Sequence, residues 1–148
     1  MIALKFSEPA FRIRKENEKV SIFDAIRRIW LPLTEEEWVR QNFVQYLVDV
    51  MNYPSAFIAI EKEIKLNDLK KRFDLLIYDR YHKPWMLVEC KSPSTHLTES
   101  VLQQVLRYNM SVPVSFLIIT NGSYTYGWEK AGGGLRELNA LPVFVRGE

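Results

Sequence analysis

The chain has 148 residues, of which 47% are hydrophobic and 26% charged, with a formal net charge of +2. This size and composition predict one compact folded unit with an apolar core and exclude a disordered chain. The small net charge neither requires nor excludes a nucleic-acid partner, because a local basic strip can serve instead. The single cysteine, Cys90, excludes an intrachain disulfide, and no apolar stretch reaches the ~18 residues of a membrane span. A cytoplasmic protein with no membrane contact is therefore expected.

Residues 1–33 are predicted to form an N-terminal extension. Apolar residues alternate in residues 11–14 and 20–23 around the polar run 15–19, which predicts a short hairpin. Residues 24–30 are typical of a short helix, which Pro32 would end. The segment contains no chemical motif, so packing or an interface is its expected role.

Residues 34–148 are predicted to form the main domain. Its first helix begins at Thr34, where Glu37 stands at the position that completes a capping box, and it ends before Pro54. Strands are predicted at residues 57–66, 73–78, 85–91 and 116–120, with an edge strand at 124–128. A second helix is expected from Thr95 or Thr98 to about Met110. This order predicts an α/β (α+β) fold with a central mixed β-sheet flanked by helices.

Charged residues interrupt two strands that are otherwise apolar. Asp74 lies in the second strand, and Glu89 and Lys91 lie in the third. Alternate residues of a strand share a face, so Glu89 and Lys91 point the same way and Cys90 points the other way. A short turn separates the two strands, which places Asp74 on the neighbouring strand.

Two neighbouring carboxylates repel each other and favour a cation between them. Oxygen ligands suit Mg²⁺, which can activate water and neutralise charge on a phosphodiester. Lys91 would then orient or deprotonate the water or stabilise the phosphate. The alternative is a structural salt bridge between Lys91 and either Asp74 or Glu89, and spacing does not separate the two interpretations.

The pattern Asp74 with Glu89-Cys90-Lys91 resembles the signature of the PD-(D/E)xK nuclease superfamily. The wider sequence resembles the N-terminal nuclease domain of type I restriction enzyme R subunits and its stand-alone bacterial relatives, over roughly residues 34–128. The stretches that carry this resemblance are residues 34–41, 71–74, 88–93 and 120–122. The resemblance implies a restriction-endonuclease-like core, a role in restriction-modification and metal-dependent endonuclease hydrolysis of DNA. It also implies that Mg²⁺ or Mn²⁺ is held by Asp74, Glu89 and the backbone carbonyl of Cys90.

Further site residues follow from the same resemblance. Gln104 and Tyr108, one turn apart on the second helix, would position the lysine or the DNA backbone. An acid from the first helix would be Glu36, which falls on the apolar stripe and is expected to face the sheet, with Glu37 as second choice. The alternatives are an ordinary amphipathic helix for the first pair and a solvated acidic first turn for the second.

A basic cluster precedes Asp74 and could contact DNA phosphates. The predicted DNA-binding residues are Lys70, Lys71, Arg72 and Arg107. The alternative is a solvated turn.

Some features depart from the family or leave the function open. Phe73 replaces the proline that often precedes the aspartate, and the motors of a type I R subunit are absent from the sequence. Cleavage is therefore expected to be motor-free or to depend on a protein partner, and a homodimer is also left open. The rival functions are a binding module that retains the fold without cutting, and an interaction protein in which the charges only stabilise the core. In the latter case Asp74→Ala should destabilise the fold, whereas a nuclease should keep or gain stability without metal.

Overall fold

A computed structural model describes residues 1–6, 8 and 10–145 of the chain. These residues form a small antiparallel sheet, a large mixed sheet and two α-helices. In chain order the elements are β1 (Ile13–Glu16), β2 (Lys19–Asp24), β3 (Ile29–Pro32), α1 (Glu35–Gln45), β4 (Ile58–Leu66), β5 (Leu69–Tyr78), β6 (Pro84–Cys90), α2 (Glu99–Asn109), β7 (Phe116–Thr120), β8 (Thr125–Ala131) and β9 (Gly134–Glu137). A π-helical turn, Tyr46–Val50, continues α1, and a 3-10 turn, Ser55–Phe57, leads into β4. None of these helices is long and apolar enough to span a bilayer.

The large sheet has the strand order β4-β5-β6-β7-β8-β9 and is mixed. Strands β6 and β7 are parallel and are connected through α2, whereas the other neighbours are antiparallel. One core cluster packs Phe43 and Leu47 of the α1 region against the sheet, and the other packs Leu106 of α2. The helices therefore cover opposite faces, and the predicted mixed sheet flanked by helices is confirmed.

The N-terminal segment contains a third strand where a helix was expected. The hairpin of β1 and β2 is as predicted, but the prediction of a helix at residues 24–30 is wrong. The Asp24 carboxylate accepts the N–H groups of Ile26 and Arg27 at 2.9 Å, and Arg28 has a φ of 56°. This side-chain turn competes with helix formation and returns the chain to pair β3 with β2.

The helix starts agree with their capping residues. The Thr34 hydroxyl accepts the Glu37 N–H at 3.0 Å, as predicted. The carboxylate of Glu37 does not complete the capping box, because it accepts a hydrogen bond from Gln41 at 3.1 Å. Of the two candidate caps for α2, the structure uses Thr98, whose hydroxyl accepts the Val101 N–H at 3.3 Å.

Residues 124–128 do not form an edge strand. The strand β8 extends to Ala131 and has β9 on its outer side. Gly132 and Gly133 form the turn between them with φ values of 57° and 80°, a backbone conformation that glycine adopts without strain. The predicted strand is confirmed, but its predicted position at the edge of the sheet is wrong, because β9 pairs with β8. The short sequence of β9 has little strand character, so this pairing was not predicted.

Close packing around Gly127 gives a first prediction. A Cβ there would lie 2.7 Å from Ile118 Cδ1 and 2.8 Å from Ile2 Cδ1. Gly127→Ala is therefore expected to lower the free energy of unfolding by about 1 kcal/mol, the lower range for overpacking, because flexible side-chain ends can partly move. Urea denaturation measures this, and Gly134→Ala is the matched control, since its nearest neighbour atom lies at 3.9 Å. Equal loss in both variants would contradict the packing argument.

Candidate active site

The register of β5 and β6 brings the two predicted carboxylates together. Leu75 pairs with Val88, and Asp74 and Glu89 are the next residues on the two strands. The Asp74 Oδ2 accepts the Cys90 N–H at 2.9 Å, which joins the strands at this point. The side chain of Cys90 is buried in the α1-side core, as its alternation with Glu89 predicts.

At this point the side chains of β4 and β5 no longer alternate regularly between the two faces of the sheet. Ile60 contacts the α1-side core and Ile64 the α2-side core, although residues four apart in a regular strand share a face. Likewise Leu75 contacts the first core and Phe73 the second. Glu61, with a φ of 52°, lies between the pairs that flank Asp74. The change of face therefore occurs at Glu61 and Asp74.

The surroundings of Glu89 strongly disfavour its charged form. Burial is the largest cause, and the charge of Asp74 and a hydrogen bond with Asp74 act in the same direction. Together they raise the pKa of Glu89 from 4.5 to about 8, against the opposing effect of Lys91. At neutral pH Glu89 is therefore mainly protonated beside Asp74 when no cation is bound.

Lys91 lies at the end of β6 beside these acids. Its N–H donates to the Thr120 carbonyl at 2.8 Å, which holds the backbone against β7. Its positive charge acts on both Glu89 and Glu36. Among the residues that the structure describes, no carboxylate lies within 4.0 Å of its ammonium group. The alternative of a salt bridge from Lys91 to Asp74 or Glu89 is thus not formed, since Asp74 pairs with an arginine.

The two candidate acids of α1 differ in burial. The side chain of Glu37 is 8% exposed and pairs with Arg27 and Arg40, whereas that of Glu36 is 48% exposed. Glu36 is therefore not buried against the sheet, but lies half exposed in the first turn of α1. Burial, followed by the charge of Asp74, nevertheless raises the pKa of Glu36. Glu36 thus lies close enough to Asp74 and Glu89 for its charge to interact with theirs.

Arg40 of α1 is the residue that the sequence analysis missed. Its side chain is only 7% exposed, and its Nη2 lies 3.3 Å from Asp74 Oδ1. Its guanidinium also lies 3.5 Å from Glu37 and 2.5 Å from Glu61. Its position four residues after Glu36, within the buried stripe of the helix, was a signal that could have identified it.

Glu61 connects this arginine to two others. Its carboxylate accepts hydrogen bonds from Arg40 at 2.5 Å, Arg72 at 2.6 Å and Arg27 at 3.2 Å. Although burial opposes ionisation, these bonds and the neighbouring positive charges lower the pKa of Glu61 to about 2. The carboxylate is therefore charged throughout the neutral range.

The residues predicted on α2 are exposed and lie beside β5. Tyr108 is 55% exposed, and Lys71 lies 4.5 Å above its ring and donates to its carbonyl at 2.6 Å. Gln104 is also exposed, one turn earlier. The structure thus brings Tyr108 to the basic segment that precedes Asp74.

The four predicted DNA-binding residues do not form one uniform strip. Lys71 faces Tyr108, whereas Arg72 faces Glu61. Lys70 is exposed and lies 3.9 Å from Glu63, and Arg107 is exposed in the last turn of α2. The exposed pairs of Lys70 with Glu63 and of Arg72 with Glu61 are weak, so these two basic side chains remain able to exchange a carboxylate for a phosphate.

The donor set is compatible with a hydrated divalent cation. Across residues 1–6, 8 and 10–145, no three or more His, Cys, Asp or Glu side chains form a ready-made cage. Mg²⁺ commonly binds through one or two carboxylates and keeps several waters, so a cage is not needed. Asp74 and Glu89 are adjacent, and the raised pKa of Glu89 is the response expected of a carboxylate that lacks a counter-charge.

One family model matches most of the chain. The family model described as "Type I restriction enzyme R protein N terminus" matches residues 35–142. The match spans both helices and all six strands of the large sheet, including every predicted catalytic residue. A comparison with curated proteins finds no matching relative.

Proposed function

The chain belongs to the family of type I restriction enzyme R protein N-terminal domains, and from that premise we propose that it is a metal-dependent DNA phosphodiester hydrolase. Asp74 and Glu89 hold Mg²⁺ or Mn²⁺, with the backbone carbonyl of Cys90 as a further ligand. Lys91 is the catalytic lysine. Glu36, which is half exposed in the first turn of α1, adds negative charge close to Asp74.

The adjacency of Asp74 and Glu89 on neighbouring strands is the single observation that carries this proposal, and the raised pKa of Glu89 supports it. A carboxylate with a purely structural role normally has a partner that favours its charged form, as Asp24 has in Arg27. Glu89 has the opposite environment, and such perturbed groups concentrate at functional sites. A cation bound between the two carboxylates would remove the repulsion that disfavours ionised Glu89.

The bound metal would supply Lewis-acid activation of water and neutralise charge on the phosphodiester. The attacking water oxygen forms a bond to phosphorus, and the bond from phosphorus to the leaving oxygen breaks. Lys91 holds or deprotonates the water or stabilises negative charge on the phosphate. Lys70, Lys71, Arg72 and Arg107 bind the DNA backbone, and Gln104 and Tyr108 position that backbone near Lys91.

Cleavage assays test this function directly. Labelled linear, supercoiled and branched DNA would be incubated with the protein in Mg²⁺, Mn²⁺ or EDTA. We expect cleavage that requires the metal and that Asp74→Asn abolishes. Asp68→Asn is the matched control, because Asp68 lies in the exposed β4–β5 turn with a φ of 69°, which asparagine tolerates. Metal-independent cleavage, or equal activity in both variants, would refute the proposal.

A binding module without cleavage is the second candidate. It is favoured by the partners that Asp74 already has, Arg40 at 3.3 Å and the Cys90 N–H at 2.9 Å. In that case fluorescence anisotropy would detect salt-dependent DNA binding, while no substrate is cut and calorimetry detects no metal binding.

A further inference from the structure

We propose that Glu61 is a positioning residue of the metal site, acting through Arg40 on Asp74. Its role is to neutralise the Arg40 guanidinium, so that Arg40 can hold Asp74 in place without opposing the approach of a divalent cation. This inference rests on the proposed function, because it assumes that Asp74 is a metal ligand.

The contacts place Arg40 between the two carboxylates. Its Nη1 lies 2.5 Å from Glu61 Oε1, and its Nη2 lies 3.3 Å from Asp74 Oδ1. Each end of the planar guanidinium thus has its shortest contact with one of these two acids, and the contact to Glu61 is the shorter. Nη1 also lies 3.5 Å from Glu37, and Nη2 lies 3.9 Å from Glu36. Arg40 is almost fully buried, so water screens these interactions little.

The backbone at Glu61 points to the same role. A φ of 52° is uncommon for a residue other than glycine and strains the backbone. The conformation turns β4 from one face of the sheet to the other, opposite Asp74. A regular strand would alternate at this position, so the strained backbone is what directs this carboxylate towards Arg40.

The positive charge of Arg40 explains why the metal site needs Glu61. An unneutralised arginine 3.3 Å from a metal ligand would repel the incoming cation. Removing the arginine instead would leave the buried Glu37 and Asp74 without their common partner. With Glu61 in place, Arg40 keeps its orienting contact to Asp74 while most of its charge is balanced locally.

Calorimetric titration with Mn²⁺ tests the inference without relying on cleavage. Glu61→Gln keeps the shape but removes the charge, and we expect it to weaken Mn²⁺ binding by about tenfold, a typical effect of residues that support metal ligands. Glu61→Asp should bind Mn²⁺ much as the wild type does, because it keeps the charge. The double variant Glu61→Gln with Arg40→Met should recover part of the lost affinity, because the unbalanced cation is gone although Asp74 has also lost its orienting contact.

Glu63→Gln is the matched control. Glu63 lies on the same strand, and its pairing with Lys70 at 3.9 Å is exposed, so its Mn²⁺ affinity should stay at the wild-type value. Unchanged affinity in Glu61→Gln, or equal loss in Glu61→Gln and Glu61→Asp, would overturn the positioning role while leaving the proposed function intact. If the wild-type protein binds no Mn²⁺, both proposals fail. Should the double variant not fold, the comparison of Gln with Asp at this position decides the matter.

Discussion

Lys91→Met is expected to reduce metal-dependent DNA cleavage by about 100-fold or more, the usual cost of removing one group that stabilises transition-state charge. The fold should tolerate the change, because in the described part of the chain the Lys91 ammonium has no carboxylate within 4.0 Å. Its backbone contact to Thr120 does not depend on the side chain. Methionine keeps the apolar part of the side chain and removes only its charge.

Single-turnover cleavage rates at saturating Mg²⁺ measure this effect on the chemical step. Lys83→Met is the matched control, because Lys83 is exposed in the turn before β6, at the other end of that strand. We expect wild-type rates for the control and unchanged unfolding free energies for both variants. A Lys91→Met protein that cleaves at the wild-type rate would exclude Lys91 from the reaction.

Glu89→Gln is expected to change how stability depends on pH in metal-free buffer. The folded protein holds a proton on Glu89 up to a pKa of about 8, whereas the unfolded chain releases it near 4.5. Between these values the folded state binds more protons, so the wild-type free energy of unfolding falls as pH rises. This group alone contributes a decrease of up to about 1.4 kcal/mol per pH unit.

The glutamine variant lacks this titration and resembles the protonated acid in shape. Urea denaturation in EDTA should therefore give similar stabilities near pH 5 and a more stable variant at pH 8, by several kcal/mol. Added Mg²⁺ should then stabilise the wild-type protein at pH 8 more than the variant. Stability curves that stay parallel from pH 5 to 8 would show that Glu89 does not have the raised pKa.

Asp74→Ala does not separate a nuclease from a structural protein in the way that the sequence suggested. Asp74 accepts the Cys90 N–H at 2.9 Å and pairs with Arg40 at 3.3 Å. Its loss leaves a strand N–H without its acceptor and a buried guanidinium without one of its carboxylates, which destabilises the fold under either function. Glu89 is the more informative carboxylate, because its environment disfavours its charge.

The predicted separation into an extension of residues 1–33 and a main domain from residue 34 remains a prediction. The family match begins at residue 35, but ion pairs cross this boundary. Arg27, in the turn between β2 and β3, binds both Asp24 and Glu61. The extension is therefore tied electrostatically to the same network as Asp74.

Local features of the chain were determined by the sequence. The caps Thr34 and Thr98, the hairpin turns and the strand periodicity depend on residues within a few positions of each other, and they define both helices and most strands. Strand alternation also sufficed to place Glu89 and Lys91 on one side of Cys90. The short turn between the two predicted strands then placed Asp74 on the neighbouring strand.

Only the tertiary structure decided what surrounds these residues. Arg40, Glu61 and Asp74 lie on three different elements, and their contacts depend on how α1 packs across β4 and β5. The change of face at Glu61 and the strands β3 and β9 likewise depend on pairing with neighbours. Sequence periodicity indicates on which face of its own helix or strand a residue lies. Which charges meet across elements depends on their packing, and here that packing sets the pKa of Glu89 and the balance around Asp74.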